Sequence, residues 1–166
     1  GNQMFIIAAA HSLAIDNEDQ AVFPGSIICL HPPTKSETRL HRNTILRNVH
    51  YTNDLSFVKN VYVEPANHGY AKIDYKPNSY LRGYFQSEKY FKHNREHILE
   101  LFSPQKQIEE HLSKKYEALI NNEDCVSVHI RRGDYLKLSE FHAVLGKEYY
   151  GKAMDKYHDA NFVFFS

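Results

Sequence analysis

The residues best suited to chemistry form one short run, His129-Ile130-Arg131-Arg132-Gly133-Asp134-Tyr135. Two adjacent guanidinium groups are planar, permanently charged forks that match phosphate oxygens two at a time. Gly133 lets a ligand approach the backbone closely. The run follows a segment, residues 125–130, in which Val126, Val128 and Ile130 alternate with Ser127 and His129, the pattern of a β-strand. In open α/β sheets the C-terminal edge of such a strand is where ligands bind. An arginine placed there can hold a diphosphate and stabilise the charge that builds up on it as it departs. The same letters equally fit a solvated arginine pair in a turn, with Asp134 as its salt-bridge partner.

Three other constellations compete. His93-Asn94-Arg95-Glu96-His97 has the H-x-x-E-H spelling of inverted zinc proteases and would put His93, Glu96 and His97 near one metal. No downstream acidic third ligand stands out, and two histidines on the solvated side of an amphipathic helix is the simpler account. Arg132-Gly133-Asp134 spells an adhesion tripeptide, which would make the chain a binding module. Such a tripeptide works on a projecting loop, whereas this one follows directly on a strand. A nucleic-acid site around the arginines has no basic stripe to support it.

The elements that must position the arginine run can be read from periodicity. Asn2 can cap a helix to about Ile15, with Met4, Phe5, Ala8 and Ile15 toward a core and small residues Ala8 to Ala10 allowing close approach to a sheet. Residues 26–30 read as a strand closed by His31-Pro32-Pro33, and residues 34–60 as mostly loop. Val61 to Val63 form a strand ended by Glu64-Pro65, residues 79–85 another, and Ser87 caps a helix carrying Phe91, Ile98, Leu99 and Phe102. Ser103-Pro104 opens a further helix with Ile108, Leu112, Tyr116 and Leu119 on one face and Glu110 with Lys114 on another. Asn121-Asn122-Glu123-Asp124 stops it and marks a domain boundary, giving domains 1–122 and 123–166. A helix with Tyr149, Tyr150, Ala153, Met154 and Tyr157 at helical spacing and a strand over 162–165 complete strand–helix–strand. That alternation indicates a parallel α/β sheet.

The totals bound the possibilities. The chain has 166 residues, with Lys+Arg 20 against Asp+Glu 20. This neutrality argues against a protein that coats nucleic acid or an anionic membrane. Cys29 and Cys125 sit in neither metal nor redox spacing, so no disulfide scaffold or cysteine metal site is expected. The Tyr and Phe residues, 12 and 10, fall mostly at core spacings, although Tyr84, Phe85 and Tyr135 also suit a sugar cleft. The longest apolar run, residues 4–10, is too short to span a bilayer. No Asn-x-Ser/Thr sequon occurs. The chain begins without methionine and stops on an apolar strand, so the expectation is a piece cut at both ends, possessing only part of its second domain, with an inactive partial chain as the alternative reading.

His129 to Tyr135 matches the HxRRGDY motif of the α-1,2-fucosyltransferases, inverting enzymes that use GDP-fucose. Gly83-Tyr84-Phe85-Gln86-Ser87-Glu88-Lys89-Tyr90-Phe91 resembles a segment of that family between its main motifs, and Gly1-Asn2-Gln3-Met4-Phe5 is similar to the tail of its GxGNQ(M/L)F loop. The strand before that loop has no counterpart here. Residues 34–78 carry no family signature. The resemblance implies an α/β fold, the N-terminal portion of a two-domain glycosyltransferase of the B type (GT-B) with Rossmann-like halves facing a cleft. Residues 1–122 would be the acceptor-side domain and 123–166 the start of the GDP-fucose-binding domain.

By the same resemblance, His129, Arg131, Arg132, Gly133 and Tyr135 would bind the donor, with Arg132 the direct phosphate ligand. Asn2 and Gln3 would meet the acceptor, and Arg132 and Asp134 would serve catalysis. The implied reaction is attack of a β-galactoside hydroxyl on the fucose anomeric carbon with inversion, needing no metal or other cofactor. Its oxocarbenium-like transition state requires stabilising a positive ring and a negative diphosphate together. Asp134 and Glu140 are the acidic residues near the motif that a general base would come from, and Asp134 alternatively orients the arginines. The partners implied are GDP-fucose and a β-galactoside-terminated glycan, with no nucleic acid. Peripheral membrane association is compatible. The location expected is cytoplasmic or membrane-associated, of bacterial type rather than the Golgi lumen.

Overall fold

The computed structural model describes residues 2–25, 42–65, 69–137, 140 and 143–166. Cys29 and the strand expected over residues 26–30 lie outside them. The chain divides into two compact units, Gly1–Gln105 and Lys106–Ser166. The sequence puts a boundary after Asn122; the division falls earlier, so the helical segment opened by Ser103-Pro104 goes with the second unit.

The first unit is organised on helix α1, Asn2–Asp16. Its buried residues are Ile7, Ala8, Ala9, Ser12 and Ala14. Of the four positions expected to face the core only Ala8 is buried; Met4 and Ile15 are half-buried and Phe5 is exposed. The reason is that α1 is apolar nearly all round and is covered on two flanks, whereas a single-stripe reading assumes one solvent face. On one flank Ile7 joins Phe23, Leu46, Val49 and Leu101. On the other Ala9 joins Ile73, Phe85 and Tyr90. The absence of large side chains at Ala8 and Ala9 is what lets both clusters close against one helix.

Short parallel pairs surround it. Strand β1 (Phe23–Pro24) pairs with β2 (Tyr51–Thr52), and β3 (Asn60–Val63) with β4 (Ser79–Arg82) in the register Asn60↔Ser79 to Val63↔Arg82. The short β2 interrupts the segment expected to be loop. Strand β4 stops at Arg82 instead of continuing to Phe85, because the Glu64 carboxylate takes the Tyr84 and Phe85 amides and Phe85 has a left-handed backbone with φ 50° that cannot extend a strand. The side-chain oxygen of Ser87 accepts from the Lys89 N–H, as a cap should, but it starts a 3-10 turn, Glu88–Tyr90. A second turn, Lys92–Asn94, precedes α2, Arg95–Leu101. Ile98 and Leu101 are the buried residues of α2. Leu99, between them on the same helix, is 50% exposed.

Two local features tie α1 to the turn before α2. His93 Nε2 lies 2.8 Å from Asp16 Oδ2 and 3.3 Å from Ser12 Oγ. Asn94 Nδ2 donates to Asp16 Oδ1 at 2.7 Å and to Ser12 Oγ at 3.0 Å. Nearby, His11 has its pKa held below the ordinary histidine value of 6.5, first by burial and then by repulsion from His97 and His50. A depressed histidine pKa means that the unfolded chain takes up its proton first as pH falls. Stability from this group is therefore complete above pH 6.5 and lost as pH drops below it toward the folded value. The melting temperature should decline as pH falls below 6.5, and His11→Gln should flatten that decline. An unchanged slope in the variant would contradict it.

The second unit contains α3 (Lys106–Lys115), α4 (Glu117–Ile120), β5 (Cys125–His129), α5 (Lys147–Met154) and β6 (Asn161–Phe165). The apolar row Ile108, Leu112, Tyr116 and Leu119, read from the sequence as one helix face, is 36%, 42%, 41% and 39% exposed. No described residue of this unit is fully buried. Its helices thus have amphipathic patterning without an enclosed interior among the described residues. The expected Glu110–Lys114 pairing gives way to Lys106–Glu110 at 3.9 Å, the same i,i+4 spacing one turn earlier.

Candidate donor-binding site

Parallel pairing of β5 with β6 brings the two strand ends together, in the register Cys125↔Asn161 to His129↔Phe165. β-branched Val126 and Val128 favour the pleated strand, and α5 provides the crossover that a parallel pair requires. Just past the ladder the Ile130 N–H donates to the Phe165 carbonyl at 2.8 Å. The chain then leaves the sheet at Arg131. Both arginines therefore stand at the C-terminal edge of β5, where the sequence places them, and both are exposed.

The local geometry separates their roles. Arg131 Cζ lies 4.8 Å from the centroid of the Tyr135 ring, a distance at which a guanidinium is attracted to an aromatic face. The backbone explains the contact: Gly133 has φ 36°, a left-handed conformation that strains any L side chain, and opens a 3-10 turn, Gly133–Lys137. The Tyr135 N–H donates to the Arg132 carbonyl at 2.8 Å, which folds the tyrosine back toward Arg131. The imidazole of His129 stacks on Phe165, with centroids 5.1 Å apart and planes 14° from parallel. The stack joins the ends of the two strands beside the arginines. The side chain of Asp134 lies outside the described residues, and Glu140 is exposed.

A groove of about 260 Å³ opens between the β5–β6 face and α5. His129, Tyr149, Tyr150, Met154 and Phe162 are among its lining residues, and neither arginine is. Its lining is chiefly apolar, so it reads as loosely filled space between helix and sheet and not as a phosphate cradle.

Asn2 and Gln3 belong to the first unit. Asn2 is exposed at the start of α1, and its Oδ1 accepts from Gln86 Nε2 at 2.7 Å. Gln3 is half-buried. The Gln86 contact joins two of the stretches noted in the sequence, although Gln86 is absent from the residues expected to bind substrate. Glu64, read from the sequence only as a strand terminator, holds the turn that carries it. A glutamate 20 residues before Tyr84, at the end of another strand, has no spacing signature that reports such a contact.

The H-x-x-E-H spelling does not assemble a metal centre. His93 lies in a 3-10 turn and His97 in α2, so the single helix needed for i,i+4 ligands is broken between them. The His93 ring is committed to Asp16 and Ser12. Among the described residues no group of three or more His, Cys, Asp or Glu side chains is placed to hold a metal ion. Nor is any described helix long and apolar enough to cross a membrane.

Comparison with known proteins gives a consistent picture. The family described as Glycosyl transferase family 11 matches residues 1–166. The O-antigen biosynthesis glycosyltransferase WbnK of Escherichia coli is 35% identical over 91 residues, which is 50% of this chain and 30% of that protein. The chain thus aligns with less than a third of the relative's length. No solved structure matches.

Proposed function

The chain belongs to glycosyl transferase family 11, and from that premise we propose that it transfers L-fucose from GDP-fucose to the 2-hydroxyl of a β-galactoside, with inversion at the anomeric carbon. The observation that supports this most is the exposed Arg131-Arg132 pair at the C-terminal edge of β5, inside a motif spelled as in the α-1,2-fucosyltransferases. In this reading the second unit carries donor contacts and the first carries acceptor contacts, as parts of a Rossmann-like, B-type arrangement.

The role proposed for each residue rests on the motif resemblance and, for the arginines, on their place at the end of β5. Arg132, exposed in the same turn, takes the diphosphate as a bidentate ligand. Arg131 rests on Tyr135 and adds field to the same site, while the His129–Phe165 stack holds the strand ends. As the glycosidic bond to the diphosphate lengthens, negative charge grows on the leaving oxygen and the guanidinium of Arg132 stabilises it, so the step is metal-independent. The acceptor hydroxyl attacks the opposite face and loses its proton to a carboxylate, for which Asp134 is the assignment. Asn2 and Gln3 contact the acceptor. The relative's role in O-antigen synthesis supports a surface-polysaccharide oligosaccharide as acceptor, made by a cytoplasmic or membrane-associated enzyme.

Incubating the chain with GDP-fucose and lactose tests the reading. Formation of a product whose NMR spectrum shows an α-linked fucose on the galactose 2-position is the expected outcome. Hydrolysis without transfer, or a β-linked product, would contradict it.

A further inference from the structure

Glu64, immediately after β3, turns its carboxylate onto the backbone that follows β4. Oε2 accepts from the Tyr84 N–H at 2.7 Å and the Phe85 N–H at 2.9 Å. Oε1 accepts from the Tyr90 hydroxyl at 3.3 Å, and that hydroxyl accepts in turn from the Ala71 N–H at 3.1 Å. One side chain therefore satisfies two consecutive amides that have left a strand and have no ladder partner. Gly83 permits it: a Cβ there would lie 2.7 Å from Glu64 Oε2 and 3.1 Å from the Phe85 ring. Phe85 is fully buried at φ 50°, a conformation bulky residues adopt only where their surroundings impose it.

The result of this construction is the position of the next residue. Gln86, exposed, reaches back across 84 positions of sequence to donate to Asn2 Oδ1 at 2.7 Å. With Nε2 and Oδ1 engaged on each other, Gln86 Oε1 and Asn2 Nδ2 supply an acceptor and a donor side by side. That combination complements a sugar hydroxyl, which both donates and accepts. Tyr84, on the same turn, is 44% exposed and offers an amphipathic ring of the kind common at binding surfaces.

We propose that Gln86 and Asn2 together bind a hydroxyl of the acceptor sugar, and that Glu64 is the positioning residue that sets Gln86 for it. The inference deepens the function proposed above and rests on it for the identity of the sugar. The experiment titrates lactose, followed by ligand-observed saturation-transfer NMR, and GDP, followed by calorimetry, into the intact chain and its variants. Gln86→Ala should weaken lactose about tenfold while leaving GDP affinity and the melting temperature at wild-type values. Glu64→Gln should weaken lactose as well, and should add nothing further in a Gln86→Ala background, since it acts through Gln86. A merely structural glutamate would lower lactose and GDP affinity alike and would add to the Gln86 effect. Unchanged lactose affinity in folded Gln86→Ala, or no lactose binding by a wild type that binds GDP, overturns the inference. Gln86-dependent lactose binding without GDP binding upholds it and defeats the donor assignment instead.

Discussion

Replacing Arg132 with alanine should lower the transfer rate by roughly 10²–10³-fold, the usual loss when one donor to developing charge is removed, with no change in melting temperature. The separation of the two effects follows from the site's geometry. Arg132 is exposed, and what it contributes locally is its backbone carbonyl, which accepts from the Tyr135 N–H and survives truncation of the side chain. Arg131→Ala should have a smaller effect on rate, because its guanidinium is already placed against Tyr135 and, in the proposed reading, would act on the phosphates through its field. Steady-state rates at saturating acceptor, with a thermal melt of each variant, check both statements. Equal losses for the two arginines would show that the pair acts as one undivided charge.

The largest expected loss of stability comes from Phe85→Ala, about 3–5 kcal/mol, the range for deleting a buried aromatic ring. The ring is 0% exposed. It meets Tyr90 edge-on with centroids 5.4 Å apart at 80°, and lies 6.3 Å from the Tyr62 ring. Ala9 and Ile73 complete the cluster. Alanine would leave a cavity against α1 without relieving the left-handed backbone, so nothing offsets the missing contacts. Urea denaturation of wild type and variant, followed by far-UV circular dichroism, measures it. A loss under about 1 kcal/mol would mean that the cluster collapses to fill the space.

How much of this was legible in the sequence depends on how local each determinant is. The strand from Cys125 and the arginines at its end were readable because alternation and the strand–turn switch are encoded within a dozen residues. The cap at Ser87 was readable for the same reason, although the turn it begins is 3-10 and not α. The core face of α1 was misread because two clusters cover it, a fact set by residues as distant as Leu101. The truncation of β4 at Arg82 was hidden because it stems from the Glu64 carboxylate capturing the Tyr84 and Phe85 amides. No composition or spacing rule reports a glutamate at a strand end reaching another turn. Gln86 lies within the Gly83–Phe91 stretch, but its partner Asn2 stands at the other end of the unit's sequence, so no local pattern reports the pair.

The central claim is that the Arg131-Arg132 turn holds a nucleoside diphosphate. Titration of GDP into the wild-type chain and into Arg132→Ala tests it most directly, because it needs neither acceptor nor turnover. Measurable GDP binding by the wild type, weakened at least about tenfold in the variant and declining with added salt, is the result predicted. Equal GDP affinity in the two folded proteins, or none in the wild type, would contradict it.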